Sequence, residues 1–284
     1  MRLLISNIYC IIMRIALYIG KEGFDRDERV AGLLGELEKG GCVLYVLERD
    51  SDFRPETDML LSIGGDGTFL SAASVVADSG IPVLGVNLGR LGFLSENRPE
   101  DVAAALLSGD YTIENRTVLQ VEPSAGCTLP DGCGCALNEM TVHRKGPSML
   151  EVRACIDGIG LPAYWADGLV ISTSSGSTAY SLSVGGPIVL PEARVLIVAP
   201  IAPHNLNVRP LIVPDSARIE LKMLSRDGEF VFSSDNRSFT LPSGFELVVS
   251  VARFSLRRVR LNRSNFINAL TQKLFWGEDV RNAK

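Results

Sequence analysis

An acid stands inside a glycine turn at Gly64-Gly65-Asp66-Gly67-Thr68, between an apolar strand-like run, Met59–Ile63, and an apolar helical stretch, Phe69–Val76. Strand, glycine turn and helix N-terminus form a cradle for phosphate. The glycines let backbone N–H groups face an anion, and the helix dipole adds to the attraction. No Lys follows, so the turn is not a Walker A loop. A carboxylate in such a turn repels phosphate, and a mere cradle would avoid it. Asp66 suits one of two jobs: accepting a proton from an attacking hydroxyl, or holding Mg²⁺ against phosphates. The plain alternative is a tight turn with Asp at a permissive position.

A second constellation is Asp167–Pro187, DGLVISTSSGSTAYSLSVGGP. A buried strand is expected to open into a loop of small hydroxyl residues (Thr173, Ser174, Ser175, Ser177, Thr178). A short helix with Ala179, Tyr180 and Ser183 follows. Compact donors and one flat aromatic suit phosphate, sugar hydroxyls and base stacking; a flexible Ser/Thr loop has the same composition. Asn138-Glu139 could hydrogen-bond a ribose diol or an adenine edge. Of the two histidines, His143 reads as structural or surface.

These residues need a scaffold. The chain has 284 residues, 46% hydrophobic and 21% charged, which excludes a disordered protein and allows one large or two modest domains. Lys plus Arg is 28 against 33 Asp plus Glu, a net charge of −5, which disfavours a dedicated nucleic-acid binder. No apolar run reaches the length of a membrane span. Met1–Ile12 is short and apolar behind one Arg, like a signal peptide, but no small-x-small cleavage site follows. Met13 is therefore read as the start of the folded unit. The six cysteines are sparse for a disulfide scaffold, and CTLPDGCGC lacks paired metal-ligand spacing, so a reducing cytoplasm is expected.

The first hundred residues alternate strand and helix: Arg14–Ile19, Asp27–Lys39, Val43–Leu47, Met59–Ile63, Pro82–Val86, and a helix from Pro99 to Leu107. Alternation of this kind predicts a parallel, doubly wound sheet. Strands then dominate: Thr112–Glu122, Leu137–His143, Met149–Asp157, Leu169–Thr173, Arg194–Ala199, Arg218–Leu224, Glu229–Ser233 and Phe245–Arg253. Ser264–Phe275 closes the chain as a helix with Phe266, Ile267, Leu270 and Leu274 on one face. The expected organisation is an α/β domain over 1–111, completed by 262–284, and a β-rich domain over 112–261. Arg253, Arg257, Arg258, Arg260 and Arg263 read as a solvated edge strand, or as a docking surface for anionic donors. Trp276 reads as packing.

Together, GGDGT, NLGRLGF (Asn87–Phe93), LNE (Leu137–Glu139), ADGLVISTSSGSTAYSLSVGGPIV (Ala166–Val189), APIAPHNLNVRPLIVPDS (Ala199–Ser216) and the closing KLFWG closely resemble the NAD kinase family. The resemblance implies phosphorylation of the 2′-hydroxyl of the adenosine ribose of NAD, giving NADP. It implies an N-terminal α/β domain, a C-terminal β-sandwich, and a last helix returning to the first domain. Asp66 would accept the 2′-hydroxyl proton. Gly65, Gly67 and Thr68 would lie against the dinucleotide, and Phe93 near the adenine. Asn138 and Glu139 would hold a ribose diol, and Asp167 would sit by the nicotinamide half. Ser175, Thr178, Ala179, Tyr180, Ser181, Leu182 and Ser183 would form the adenine and ribose pocket, lined by Ala202 from the following strand.

The family often carries a basic residue two positions before the Asp167-Gly168 pair. Here Trp165 takes that dinucleotide-binding position, and the choice between NAD and NADH stays open. Where the family often reads Asp-Gly late in the β domain, this chain has Asp235-Asn236-Arg237, and Asn236 is expected to take the left-handed turn. ATP or polyphosphate would be the donor, with Mg²⁺ or another divalent metal; no residue is assigned as its ligand. The expected partners are small molecules only, with no nucleic acid and no membrane, in a cytoplasmic homodimer or homotetramer. GGDGT is shared with diacylglycerol and sphingosine kinases, so a lipid kinase is one alternative. A non-catalytic nucleotide sensor, which would not need Asp66, is another.

Overall fold

The structure is a computed structural model that describes residues 12–20, 27–47, 53–89, 92–124, 126–131, 134–263 and 265–276. Most of the Met1–Ile12 extension, Cys10, Arg90, Leu91, Cys133 and Gly277 lie outside the described residues. By contacts the chain forms two compact units. The first comprises Met1–Phe69, Ile81–Thr112 and Val259–Ser264; the second comprises Leu70–Gly80, Ile113–Arg258 and Asn265–Lys284.

The N-terminal α/β part is built on a six-stranded sheet with the order Val43–Val46, Arg14–Ile19, Met59–Ile63, Val83–Val86, Leu256–Leu261, Tyr111–Arg116. The first four strands are parallel. Ile15, Leu17, Met59, Leu61, Ile63, Leu84 and Val86 pack with Val30, Leu33 and Leu37 of the Glu28–Lys39 helix. The same core holds Val102, Ala103 and Leu106 of the Pro99–Ser108 helix. Ala16, Leu60, Ser62 and Val83, on the opposite face by the alternation of a strand, are buried as well. A sheet buried on both faces is why these strands read as continuous apolar runs. Asp27 caps the first helix by accepting the Arg29 N–H at 2.9 Å, and Gly109, left-handed at φ 73°, ends the Pro99–Ser108 helix.

The second unit is a β-sandwich. One sheet has the order Ile159–Gly160, Leu150–Ile156, Ile219–Ser225, Glu246–Val251, Leu119–Pro123, Cys135–Ala136, with Tyr164–Ala166 also paired to Leu150–Ile156. The other has the order Leu211–Pro214, Val195–Ile201, Gly168–Thr173, Glu139–Arg144, Glu229–Ser234, Arg237–Pro242. Leu119, Val121, Val152, Leu221 and Leu247 of one sheet share a core with Met140, Val142, Leu169, Ile171, Phe230 and Phe232 of the other. Each fully buried phenylalanine contributes about 1.5–3 kcal/mol. Gly168–Thr173 is buried at every position because its second face is covered too: Val170 packs with Ile197, Ala199 and Ile201 under Val184 and Val189. The small-residue segment that follows this strand thus folds back over its own sheet.

Several expectations change. The single strand Thr112–Glu122 is two strands, Tyr111–Arg116 and Leu119–Pro123, which belong to different sheets. Leu137–His143 likewise begins only at Glu139, because the chain changes sheets after Cys135–Ala136. The arginine-rich Leu256–Leu261 strand is no edge: it lies between two others, and Arg258 is 2% exposed, 3.4 Å from Glu114. The closing helix Phe266–Leu274 buries Ala269 and Leu270, but Ile267, expected on its apolar face, is exposed. Trp276 is also exposed, against the expectation of packing.

Candidate active site

In the first unit, the Met59–Ile63 strand ends at Gly64, whose φ of 151° suits glycine. The helix starts at Asp66 rather than at Phe69 and runs to Val76, so the acid stands in its first turn. The Thr68 side chain fills the space where a Cβ at Gly20 or Gly64 would lie, so those two glycines serve internal packing. Gly65 and Gly67 differ. Both are exposed, neither has positive φ, and a Cβ on either would meet nothing within 4 Å. Neither position is thus held to glycine by a steric demand of the described residues, and both leave space beside a helix N-terminus.

The N–H groups that hold Asp66 come from a different turn. Phe93 N–H donates to Oδ2 at 2.7 Å, while Leu94 and Ser95 N–H donate to Oδ1 at 3.0 and 2.8 Å. A carboxylate offers roughly four acceptor positions, so one remains on Oδ2 for a substrate proton. Phe93 lies beside the acid through its backbone. Asn87 braces the same turn, donating to the Ser95 carbonyl at 3.0 Å and accepting from Gly89 N–H at 2.7 Å. Gly85 lets the turn approach, since a Cβ there would come within 2.8 Å of the Leu94 carbonyl oxygen. Gly92 is adjacent to the acid itself: a Cβ there would collide with the Asp66 carboxylate. Asn87, Gly85 and Gly92 were missed as site residues, although the Asn and glycines of NLGRLGF carried the signal of a turn.

In the second unit, Thr173 links the hydroxyl-rich loop to Asn138-Glu139. Its hydroxyl donates to the Leu137 carbonyl at 2.7 Å and accepts from Gly176 N–H at 3.1 Å. Gly176 can only be glycine, because a Cβ would strike the Asn138 carbonyl. Not every hydroxyl faces a ligand: Ser174 and Ser177 donate to the backbone carbonyls of Ala193 and Val189. Ser175 and Ser181 are buried, Thr178, Ala179 and Leu182 half-buried, and Tyr180 and Ser183 exposed on the short Tyr180–Ser183 helix. Ala202 is exposed at φ 43°, a left-handed backbone that costs a non-glycine residue about 1 kcal/mol or more.

Asn138 is buried with its Oδ1 unpartnered, and Glu139 Oε2 is likewise buried and unpartnered. Such acceptors cost stability until a donor arrives. Burial, and then the Asp235 carboxylate, push Glu139 up to about 7, against the opposing hydrogen bond from Tyr180 N–H. Between its ordinary value of 4.5 and about 7, the folded protein holds a proton that the unfolded chain has lost. This group's stability contribution is therefore full below pH 4.5, falls as pH rises, and is gone above about 7. Glu139→Gln should flatten that fall. At pH 8 it should raise stability by on the order of 1–3 kcal/mol. Thermal unfolding from pH 5 to 8 checks this, and parallel curves for the two proteins would refute it.

Asp167 forms an ion pair with Arg144, Nε to Oδ1 at 2.6 Å, both partly exposed. Arg144 was missed because it reaches Asp167 from the neighbouring strand, where His143 pairs with Gly168. It puts a cation beside Asp167 although Trp165 occupies the often-basic position. Trp165 is half-buried and accepts the His204 N–H at 2.7 Å through its carbonyl. His143 is half-buried, with Nδ1 2.9 Å from the Arg144 carbonyl, and His204 is exposed. In Asp235-Asn236-Arg237 the left-handed residue is Asp235, at φ 49°, and not Asn236. Among the described residues, no group of three or more His, Cys, Asp or Glu is arranged to hold a metal ion.

Residues 45–109 match the ATP-NAD kinase N-terminal domain, and residues 137–261 match the ATP-NAD kinase C-terminal domain. The chain is 40% identical over 260 residues to an NAD kinase of Flavobacterium psychrophilum, across 90% of this chain and 88% of that protein. Its structure is similar to a crystal structure of yeast NADH kinase complexed with NADH, at TM-score 0.82 and 26% identity, covering 96% of this chain and 90% of that one. It is also similar to an Archaeoglobus fulgidus NAD kinase in complex with ATP, at TM-score 0.75 and 26% identity, covering 93% and 99%.

Proposed function

This chain belongs to the NAD kinase family, and on that footing we propose a division of labour for its residues. The protein is an NAD kinase that transfers the terminal phosphoryl group of ATP to the 2′-hydroxyl of the adenosine ribose of NAD. The observation that carries the assignment of the acid is the pairing of Asp66 with Gly65 and Gly67. These are open glycines at a helix N-terminus, with a carboxylate between them that keeps one acceptor position.

Asp66 takes the proton of the 2′-hydroxyl as that oxygen attacks the terminal phosphorus of ATP in line, and the bond from that phosphorus to the β-phosphate oxygen breaks to release ADP. Gly65, Gly67 and Thr68 offer a positive helix end to phosphate oxygens. Asn138 Oδ1 and Glu139 Oε2 accept hydrogen bonds from a ribose diol, which supplies the donors that both lack. Tyr180 offers its ring to the adenine, with Phe93, Ser175, Thr178, Ala179, Ser181, Leu182, Ser183 and Ala202 as the remaining pocket residues. Asp167, oriented by Arg144, and Trp165 attend the nicotinamide half. Most of the acceleration comes from positioning and electrostatic stabilisation.

Mg²⁺ or another divalent ion accompanies the donor. The donor set fits a metal carried mainly by phosphate oxygens and water, since among the described residues no group of three or more His, Cys, Asp or Glu is arranged to hold one. When bound, such an ion neutralises charge on the transferred phosphoryl group. The free thiols of Cys42, Cys127, Cys135 and Cys155 favour a reducing, cytoplasmic setting, and no described helix is long and apolar enough to cross a membrane. A homodimer or homotetramer is the assembly implied by the resemblance; light scattering measures it.

The decisive assay is NADP formation from NAD by the purified protein with Mg²⁺, comparing ATP with polyphosphate and NAD with NADH. NADP that requires Asp66 and ATP is the expected result. Phosphorylation of diacylglycerol or sphingosine without NADP would replace it with the lipid-kinase reading. NAD binding without turnover would leave a sensor.

A further inference from the structure

We propose that Asp235 is a positioning residue that shapes the Leu137–Glu139 turn and so presents Asn138 and Glu139 to the dinucleotide. This rests on the assignment of that pair to a ribose diol. The turn is where the chain leaves the Cys135–Ala136 strand of one sheet and enters the Glu139–Arg144 strand of the other. Backbone groups at such a crossing lack regular ladder partners and must find others. Asp235 supplies them. Its Oδ2 accepts Leu137 N–H at 2.8 Å, and its Oδ1 accepts Asn138 and Glu139 N–H at 2.8 and 3.2 Å. The Asp235 N–H in turn donates to the Glu139 carbonyl at 2.9 Å.

The carbonyl side of the same turn is held separately. Thr173 N–H donates to the Asn138 carbonyl at 2.9 Å, and the Thr173 hydroxyl donates to the Leu137 carbonyl at 2.7 Å. With backbone donors and acceptors of the turn both engaged, Asn138 Oδ1 and Glu139 Oε2 are the turn's buried side-chain oxygens left without partners. Asp235 is itself fixed by its neighbours. Asn236 Nδ2 donates to Ser71 Oγ at 3.0 Å; Arg237 donates to Ser74 Oγ at 2.9 Å and to the Cys135 carbonyl at 2.7 Å. The Asp235 backbone is left-handed at φ 49°, which costs a non-glycine residue about 1 kcal/mol or more.

The charge has a second consequence. Glu139, Arg237 and the Cys135 thiol are the titratable and charged groups that face Asp235. Removing its negative charge relieves Glu139 of one repulsion, so the Glu139 titration moves to lower pH.

Two variants test this in the full-length enzyme. Asp235→Asn keeps an acceptor for Asn138 and Glu139 N–H but loses the one for Leu137. Asp235→Gly keeps the left-handed backbone and loses all three. The KM for NAD should rise by about tenfold in the first and about a hundredfold in the second. The KM for ATP and kcat should stay within about threefold. In Asp235→Asn the fall in NAD affinity toward acid pH should also shift to lower pH, which a merely structural role would not produce. Should Asp235→Gly fail to fold by circular dichroism, the Asp235→Asn pH profile decides alone. An unchanged KM for NAD, or equal losses toward ATP and NAD with an unmoved pH profile, overturns the proposal. Failure of the functional reading looks different, because then the unaltered protein makes no NADP.

Discussion

Asp66→Asn lowers kcat for NADP formation by about 10²–10⁴-fold, the usual contribution of a positioned general base, while the Kd for NAD changes less than about tenfold. Amide and carboxylate are nearly the same size, so the loss is chemical: the amide cannot take up the 2′-hydroxyl proton. The substitution has a structural cost as well. The carboxylate accepts N–H groups from Phe93, Leu94 and Ser95. An amide NH₂ would face one of those donors and cost about 1–3 kcal/mol. Turnover, NAD binding by calorimetry and thermal unfolding, measured together, separate the two effects. Wild-type turnover in a folded Asp66→Asn protein would exclude Asp66 as the proton acceptor.

Gly92→Ala removes nearly as much activity and leaves the acid in place. Gly92 does not have positive φ, so alanine is acceptable to its backbone; the obstacle is the Asp66 carboxylate, which occupies the Cβ position. Either the carboxylate rotates away or the 92–95 turn withdraws. A displacement of about 1 Å at a reacting group costs on the order of 10²-fold in rate. The strain costs about 1–3 kcal/mol in stability. The origin of that strain is testable by a double-mutant cycle. In an Asp66→Ala background the colliding atoms are gone, so Gly92→Ala should be nearly silent in denaturant unfolding. Additive stability losses would show that Gly92 is needed for another reason.

Much of the fold was legible in the residues. Arg14–Ile19 and Met59–Ile63 have the bounds expected from their apolar runs, and the Glu28–Lys39 helix follows the i, i+3, i+4, i+7 spacing of Val30, Leu33, Leu34 and Leu37. The signal was strong there because burial on both faces of a sheet, or on one stripe of a helix, leaves a local pattern. The short strands Tyr164–Ala166 and Leu211–Pro214 were not legible, because a few residues at a sheet margin carry no period. The expected edge role of Leu256–Leu261 failed for a related reason. Its arginines suggest solvent, yet a strand inserted between two others buries Arg258 beside Glu114, and only the tertiary pairing supplies that carboxylate.

The candidate site divides along the same line. The sequence by itself determined the type of chemistry: an acid in a glycine turn ahead of a helix, a hydroxyl-rich loop after a buried strand, and a family whose motifs span most of the chain. These are local features, since a turn, its glycines and the following helix are neighbours in the chain. Only the tertiary structure decided which groups hold the reactive ones. Asp66 is held by N–H groups 27 to 29 residues away, and Asn138 and Glu139 by Asp235, 97 and 96 residues away. Tertiary structure also decided that Ser174 and Ser177 spend their hydroxyls on backbone carbonyls. A hydrogen bond depends on distance in space, and side-chain spacing along a chain does not encode which distant backbone groups the folded sheets leave unpaired.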